Sequence, residues 1–147
     1  AGDVTEAPGF HSGQPQLNAI QPNAAEQAQI AAKNMAGHNA VSQGSLALNV
    51  LDTLGLISTS FGQWSGVEKA AGGAAAELVD EGKYRYLSLQ FEHDVLIGAT
   101  SIGWTDHVGA LRGLIQTRTH LGAWRERLLD DPTNFMAAYL ATAQQAA

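Results

Sequence analysis

The sequence predicts an α+β fold: an N-terminal extended arm and helix, then a small antiparallel sheet packed with C-terminal helices. Three observations carry this. Pro8, Pro15 and Pro22 crowd the first stretch together with Gly2, Gly9 and Gly13; two-residue apolar alternation is confined to the middle of the chain; and apolar helical spacing dominates again only beyond Asp106. Strands grouped ahead of helices, instead of alternating with them, are the mark of the α+β class.

Residues 1–22 read as an irregular arm, because proline fixes φ and removes a donor while glycine loosens the chain. From Asn23 the pattern turns helical. Ala24, Ala25, Ala28, Ala31, Ala32 and Met35 recur at helix spacing, Asn23 and Glu26 have the form of a capping box, and Gly37 closes a helix over 23–36. Its expected buried face is almost all alanine, which lets a backbone or a flat ligand approach closely.

Between Gly44 and Trp64, Leu46, Leu48 and Val50 alternate with their neighbours, and Leu56 to Phe61 is rich in β-branched residues. Two strands broken near Asp52 to Gly55 follow. The stretch Gly66 to Ala76, with Gly72-Gly73 and its alanines, shows no alternation and is expected as a flexible surface loop. Leu87, Leu89 and Phe91 then share one face of a strand, His93-Asp94 supplies a turn, and Val95 to Ile102 returns as a hairpin partner. Val108, Leu111, Leu114 and Ile115 mark a helix starting near Asp106. A second helical stripe (Leu121, Trp124, Leu128) follows a break at Gly122, and Asp131-Pro132 opens a last helix with Phe135, Met136, Tyr139 and Leu140 inward.

Composition narrows the function classes. With 147 residues, 45% hydrophobic and 15% charged, the chain can bury one modest core. A net charge of -6 with scattered basic residues argues against a nucleic-acid partner. The absence of cysteine excludes disulfide, thiolate-zinc and redox-dithiol chemistry within the segment. No apolar run is long enough for a membrane helix, so no membrane partner is expected, and the cytoplasm is the expected compartment.

Self-contained catalytic motifs are missing: there is no nucleophile elbow, His-Glu-x-x-His, phosphate loop or Gly-x-Gly-x-x-Gly. Gly98 to Gly103 holds only the outer glycines of a phosphate loop and reads as a strand end. His11, His38, His93, His107 and His120 never pair at metal-ligand spacing. His93-Asp94 is read as a turn, Asp106 as a helix start, and Trp64, Trp104 and Trp124 as packing anchors. No catalytic residue and no metal ligand is therefore assigned.

The opening Ala1-Gly2-Asp3-Val4, the arm, then Pro22-Asn23-Ala24-Ala25 and an alanine-rich helix ending Met35-Ala36-Gly37 resemble the second FAD motif of pyridine nucleotide-disulfide oxidoreductase-like flavoproteins. Tyr84 to Phe91, the His93-Asp94 turn, Val95 to Gly103 and the helix through Leu114-Ile115 are similar to the C-terminal interface domain of that family. The likeness is nearest to its ferredoxin-reductase and nitrite-reductase-like branch. The resemblance implies that Gly2 and Asp3 close a strand, with the Asp3 carboxylate accepting hydrogen bonds from the ribityl chain of FAD. It further implies that backbone N–H groups near Asn23, Ala24 and Ala25 face the flavin pyrimidine edge.

On this reading residues 1–40 are a partial FAD-binding segment and residues 41–147 an interface or dimerisation domain. The parent enzyme would use FAD and NAD(P)H, while the isolated chain holds an incomplete FAD site and is expected to be inactive alone. Expected partners are the missing FAD and NAD(P)H domains, or a flavoprotein chain, and a second copy in a homo-oligomer. The His-x-Pro motif of the disulfide-reductase branch does not occur here. The alternative from the residues alone is a non-enzymatic α+β dimerisation or protein-interaction module.

Overall fold

A computed structural model describes residues 1–145 of the chain. It is mixed α+β, with two antiparallel sheets and four α-helices, and divides into two units, Ala1–Leu48 and Asn49–Ala147. The last two residues of the expected C-terminal domain lie outside the described ones.

In the first unit, β1 (Ala7–Pro8) pairs antiparallel with β2 (Pro15–Gln16), so the arm folds back on itself between its prolines. Helix α1 (Gln21–Met35) follows. Its start differs from the capping box expected at Asn23 and Glu26. The N-cap is Ile20, Pro22 sits in the first turn, and Asn23 lies inside the helix, where its side chain is taken by a distant carbonyl. The alanine face also departs from expectation: Ala25, Ala28 and Ala32 are exposed, as is Met35, and Asn23 alone is buried on this helix. Phe10 and Leu46 are the buried apolar residues of this unit.

The second unit is built on a five-stranded sheet ordered β3-β4-β7-β6-β5, whose first strand begins at Leu48. β3 (Leu48–Thr53) and β4 (Leu56–Gly62) form a hairpin across Leu54-Gly55, both with positive φ, as a two-residue hairpin turn demands. β6 (Arg85–Glu92) and β7 (Val95–Ile102) form the second hairpin, with His93 left-handed in the turn. The stretch Gly66–Ala76 is not the flexible loop expected throughout. Its end belongs to β5 (Gly73–Asp80), which pairs with β6 along its whole length from Gly73↔Glu92 to Asp80↔Arg85. Alanine and glycine carry weak strand preference, so this strand is dictated by its partner and not by its own residues.

Register explains the core. Leu78↔Leu87↔Ser101↔Thr59 and Ala76↔Leu89↔Ala99↔Phe61 run across the sheet on one face. That face contains Leu87, Leu89 and Phe91, all fully buried, and the helices close over the sheet with Leu111, Leu114, Ile115 and Leu128. Thr59 and Ser101 sit in this face but bond each other at 2.7 Å, which removes the cost of burying two hydroxyls. The opposite face is polar: Ser60 with Thr100, Ser88 with Gln90, Glu77 with Tyr86. Gly98 is needed there because the Gln63 backbone crosses directly over it, where a Cβ would collide.

Helix α2 (Val108–Thr117) starts after His107, not at Asp106, and α3 (Ala123–Asp130) follows Gly122 as the break suggested. Asp131 does cap: its carboxylate accepts from the Thr133 N–H at 2.9 Å, opening a 3₁₀ turn (Pro132–Asn134) that runs into α4 (Phe135–Gln145). On α4 the buried residues are Phe135, Ala138 and Thr142, whereas Leu140, expected inward, is exposed.

Candidate functional site

The residues singled out in the sequence, Gly2, Asp3, Asn23, Ala24 and Ala25, all lie in the N-terminal unit. Gly2 and Asp3 are in an irregular turn, not at the end of a strand. Gly2 has φ of +122°, a conformation open chiefly to glycine. Its carbonyl accepts from Thr5 N at 3.2 Å and Thr5 Oγ1 at 2.7 Å, which closes the turn.

The turn is fastened to α1. Gly2 N–H donates to Gln27 Oε1 at 3.0 Å, and Thr5 Oγ1 lies 2.8 Å from the same oxygen. Gln27 stands one helical turn beyond Asn23, so the Gly2-Asp3 turn is held beside the N-terminal half of α1. Asp3 is exposed on it, and among the described residues its carboxylate has no hydrogen-bond partner. An exposed, ionised carboxylate is an acceptor for hydroxyl protons.

The start of α1 distributes its donors unevenly. The Ile20 carbonyl takes the N–H groups of both Asn23 (3.1 Å) and Ala24 (3.2 Å). Pro22 has no N–H, so among the described residues the Gln21 N–H is the open donor at this terminus, where the helix dipole is positive. Asn23 serves the fold instead: it is 2% exposed, and its Nδ2 donates to Leu46 O at 3.0 Å and Asn18 O at 3.4 Å. Its Oδ1 is buried without a partner among the described residues. Ala24 is half-buried and Ala25 exposed.

Sequence reasoning missed Thr5, Gln21 and Gln27. Gln27 had no readable signal, because its role depends on a contact across 25 residues.

The second unit holds a polar cluster at the β6–β7 turn. Asp94 pairs with His120 Nδ1 at 2.9 Å, and not with its neighbour His93. Leu121 N–H donates to Asp94 O at 2.9 Å, and Arg125 Nε to His93 O at 2.6 Å. The His120 hydrogen bond holds the Asp94 carboxyl below the usual carboxylate range, and the Thr133 hydroxyl and N–H do the same for Asp131. Trp104 and Trp124 are half-buried, each with a guanidinium 4.7 Å from its ring (Arg85 and Arg127), whereas Trp64, expected as a packing anchor with them, is exposed. Among the described residues no group of His, Asp and Glu is placed to hold a metal ion, and no helix is long and apolar enough to cross a membrane.

No family model and no curated protein matches the sequence. Solved structures do match. An FAD-dependent pyridine nucleotide-disulphide oxidoreductase from Desulfovibrio vulgaris superposes on the whole chain with a TM-score of 0.67 at 15% identity, and the chain covers 38% of it. The fold is that of part of such an oxidoreductase. An NAD-dependent persulfide reductase from A. fulgidus matches 84% of the chain with a TM-score of 0.62 at 18% identity, and the chain covers 26% of it. The chain thus spans well under half the length of either protein.

Proposed function

We propose that this chain is the C-terminal part of a cytoplasmic FAD-dependent NAD(P)H oxidoreductase. Its first unit contacts the ribityl and pyrimidine side of the flavin, and its second serves as an interface domain. The observation that carries the reading is the turn pinned to α1 by Gln27, which presents the free Asp3 carboxylate beside the helix's N-terminal half. The fold shared with a portion of an FAD-dependent pyridine nucleotide-disulphide oxidoreductase and of an NAD-dependent persulfide reductase supports it.

The residues fit a polyol and a pyrimidine edge. Asp3 accepts hydroxyl protons, and Gln21 offers the remaining N–H at a positive helix end. Asn23 and Ala24 help through position alone, since their N–H groups are already bonded. FAD, when bound, supplies the redox chemistry between a nicotinamide and an electron acceptor. This chain's residues orient the flavin and favour negative charge on its pyrimidine side. Adenine and pyrophosphate contacts belong to the domains outside this chain, so FAD binding alone is expected to be weak.

Flavin fluorescence titration tests this, on the chain alone and mixed with the complementary FAD domain, using Asp3→Ala as comparison. Binding that tightens on mixing and weakens about tenfold in Asp3→Ala, the loss of one charge-assisted hydrogen bond, supports the reading. Equal titrations with and without this chain would leave the non-enzymatic interaction module as the better account.

A further inference from the structure

The orientation of the Asn23 side chain is fixed by its neighbours. Nδ2 donates to the carbonyls of Leu46 at 3.0 Å and Asn18 at 3.4 Å, and turning the amide over would set Oδ1 against both oxygens. Oδ1 is thereby committed to the other side, in a residue that is 2% exposed, and among the described residues nothing donates to it. A buried acceptor without a donor forfeits the hydrogen bonds that solvent gives it in the unfolded chain, so folded proteins seldom leave one bare.

Asn23 borders a cavity of about 10 Å³ inside the first unit. Ala7 of β1, Glu26 and Gln27 of α1, and Ser42 and Ser45 of the segment after the helix share its wall. Counted as room for the centre of a water-sized sphere, that volume admits one such occupant and nothing larger.

The wall offers hydrogen-bonding groups of both kinds. Glu26 supplies an acceptor beside Asn23 Oδ1. Ser42 Oγ accepts from the Gly44 N–H at 3.1 Å and Ser45 Oγ from Asn18 Nδ2 at 3.0 Å, so each hydroxyl keeps its own proton to give. Gln27 Oε1 is taken by the Gly2 N–H and the Thr5 hydroxyl, which leaves its amide Nε2 as a donor.

We propose that this cavity is a binding site for one tightly held water, which donates to Asn23 Oδ1 and Glu26 and accepts from a serine hydroxyl or the Gln27 amide. This is independent of the flavin reading. A bare cation would answer Oδ1 and Glu26 but would meet the Gln27 amide protons, and an anion fails at both acceptors. Water donates and accepts from a single small centre, as this mixed wall requires. Its partners come from α1 and from residues 42–45, so it ties two segments of a unit whose buried apolar side chains are Phe10 and Leu46.

A high-resolution crystal structure of the chain and water-selective NMR on the isotope-labelled chain test this together. Density for a single water is expected about 2.5–3.0 Å from Asn23 Oδ1. In solution the Asn23 side-chain amide protons should show cross-peaks to water with NOE and ROE of opposite sign, the pattern of a water held inside a fold and not of one passing over its surface. Ser42→Ala and Ser45→Ala remove the hydroxyls that could relay such a signal, and the cross-peaks should survive in each. A cation, a serine hydroxyl or the Gln27 amide found directly on Oδ1, cross-peaks lost in either alanine variant, or NOE and ROE of equal sign each overturns the proposal.

Discussion

The two units of this chain are held by different physics. In Asn49–Ala147 a face of leucine, phenylalanine and alanine from three central strands meets Leu111, Leu114, Ile115 and Leu128, all at 1% exposure or less. In Ala1–Leu48 the buried apolar side chains are Phe10 and Leu46. Its segments are joined by polar contacts: Gln27 to Gly2 and Thr5, Asn18 to Ser45, and Asn23 to Leu46. A region with a dense apolar core carries its own stability. One that leaves Ala25, Ala28 and Ala32 of its helix exposed depends instead on a few polar contacts.

The largest effect that tests this contrast is core truncation. Leu111→Ala should cost about 2–5 kcal/mol and lower the melting temperature of the second unit by many degrees, whereas Met35→Ala on the open helix should change stability by less than about 0.5 kcal/mol. Thermal melts of the two variants side by side settle it; equal losses would erase the distinction.

A smaller effect should appear in the first unit alone. Asn23→Ala removes the donor to Leu46 O and Asn18 O and should cost about 1–3 kcal/mol locally. Limited proteolysis should show faster cleavage within residues 1–48 while calorimetry leaves the main transition in place. If that main transition falls instead, the two units are not energetically distinct.

Smaller still is the cap in the second unit. Asp131→Ala loses the bonds to Thr133 and should cost about 1 kcal/mol, read as a shift in urea midpoint. The pH dependence follows from Asp94 and Asp131, both held below their usual values. A carboxyl so lowered stabilises the fold above its unfolded pKa, near 3.9, and that contribution disappears as pH falls through the folded value. These groups therefore leave stability flat from pH 7 to 5 and reduce it slightly below about 4. Asp94→Asn should shallow that acid decline, which melts at stepped pH would reveal.

Legibility in the sequence follows the same contrast. The β6–β7 hairpin was readable because Leu87, Leu89 and Phe91 alternate beside a two-residue turn, so local pattern and burial agree. β5 was not, since Gly73 to Ala76 pairs by virtue of β6 and shows no strand preference of its own. Asn23 looked like a cap because asparagine commonly caps helices, but its side chain bonds a carbonyl 23 positions away, and no local pattern encodes that. The Asp94–His120 pair, 26 positions apart, was hidden for the same reason. Gly2 and Asp3 were singled out only through a family resemblance, and the attachment of their turn to α1 through Gln27, 25 positions away, has no local signal.

Amide chemical-shift mapping tests the central claim most directly. FAD is added to the isotope-labelled chain with the complementary FAD domain present, against the same mixture without FAD. The flavin reading predicts shifts concentrated at Gly2 to Thr5 and at Gln21 on α1, lost in Asp3→Ala, with β5 to β7 unmoved. Shifts confined to the sheet unit, or none that depend on FAD, would contradict it.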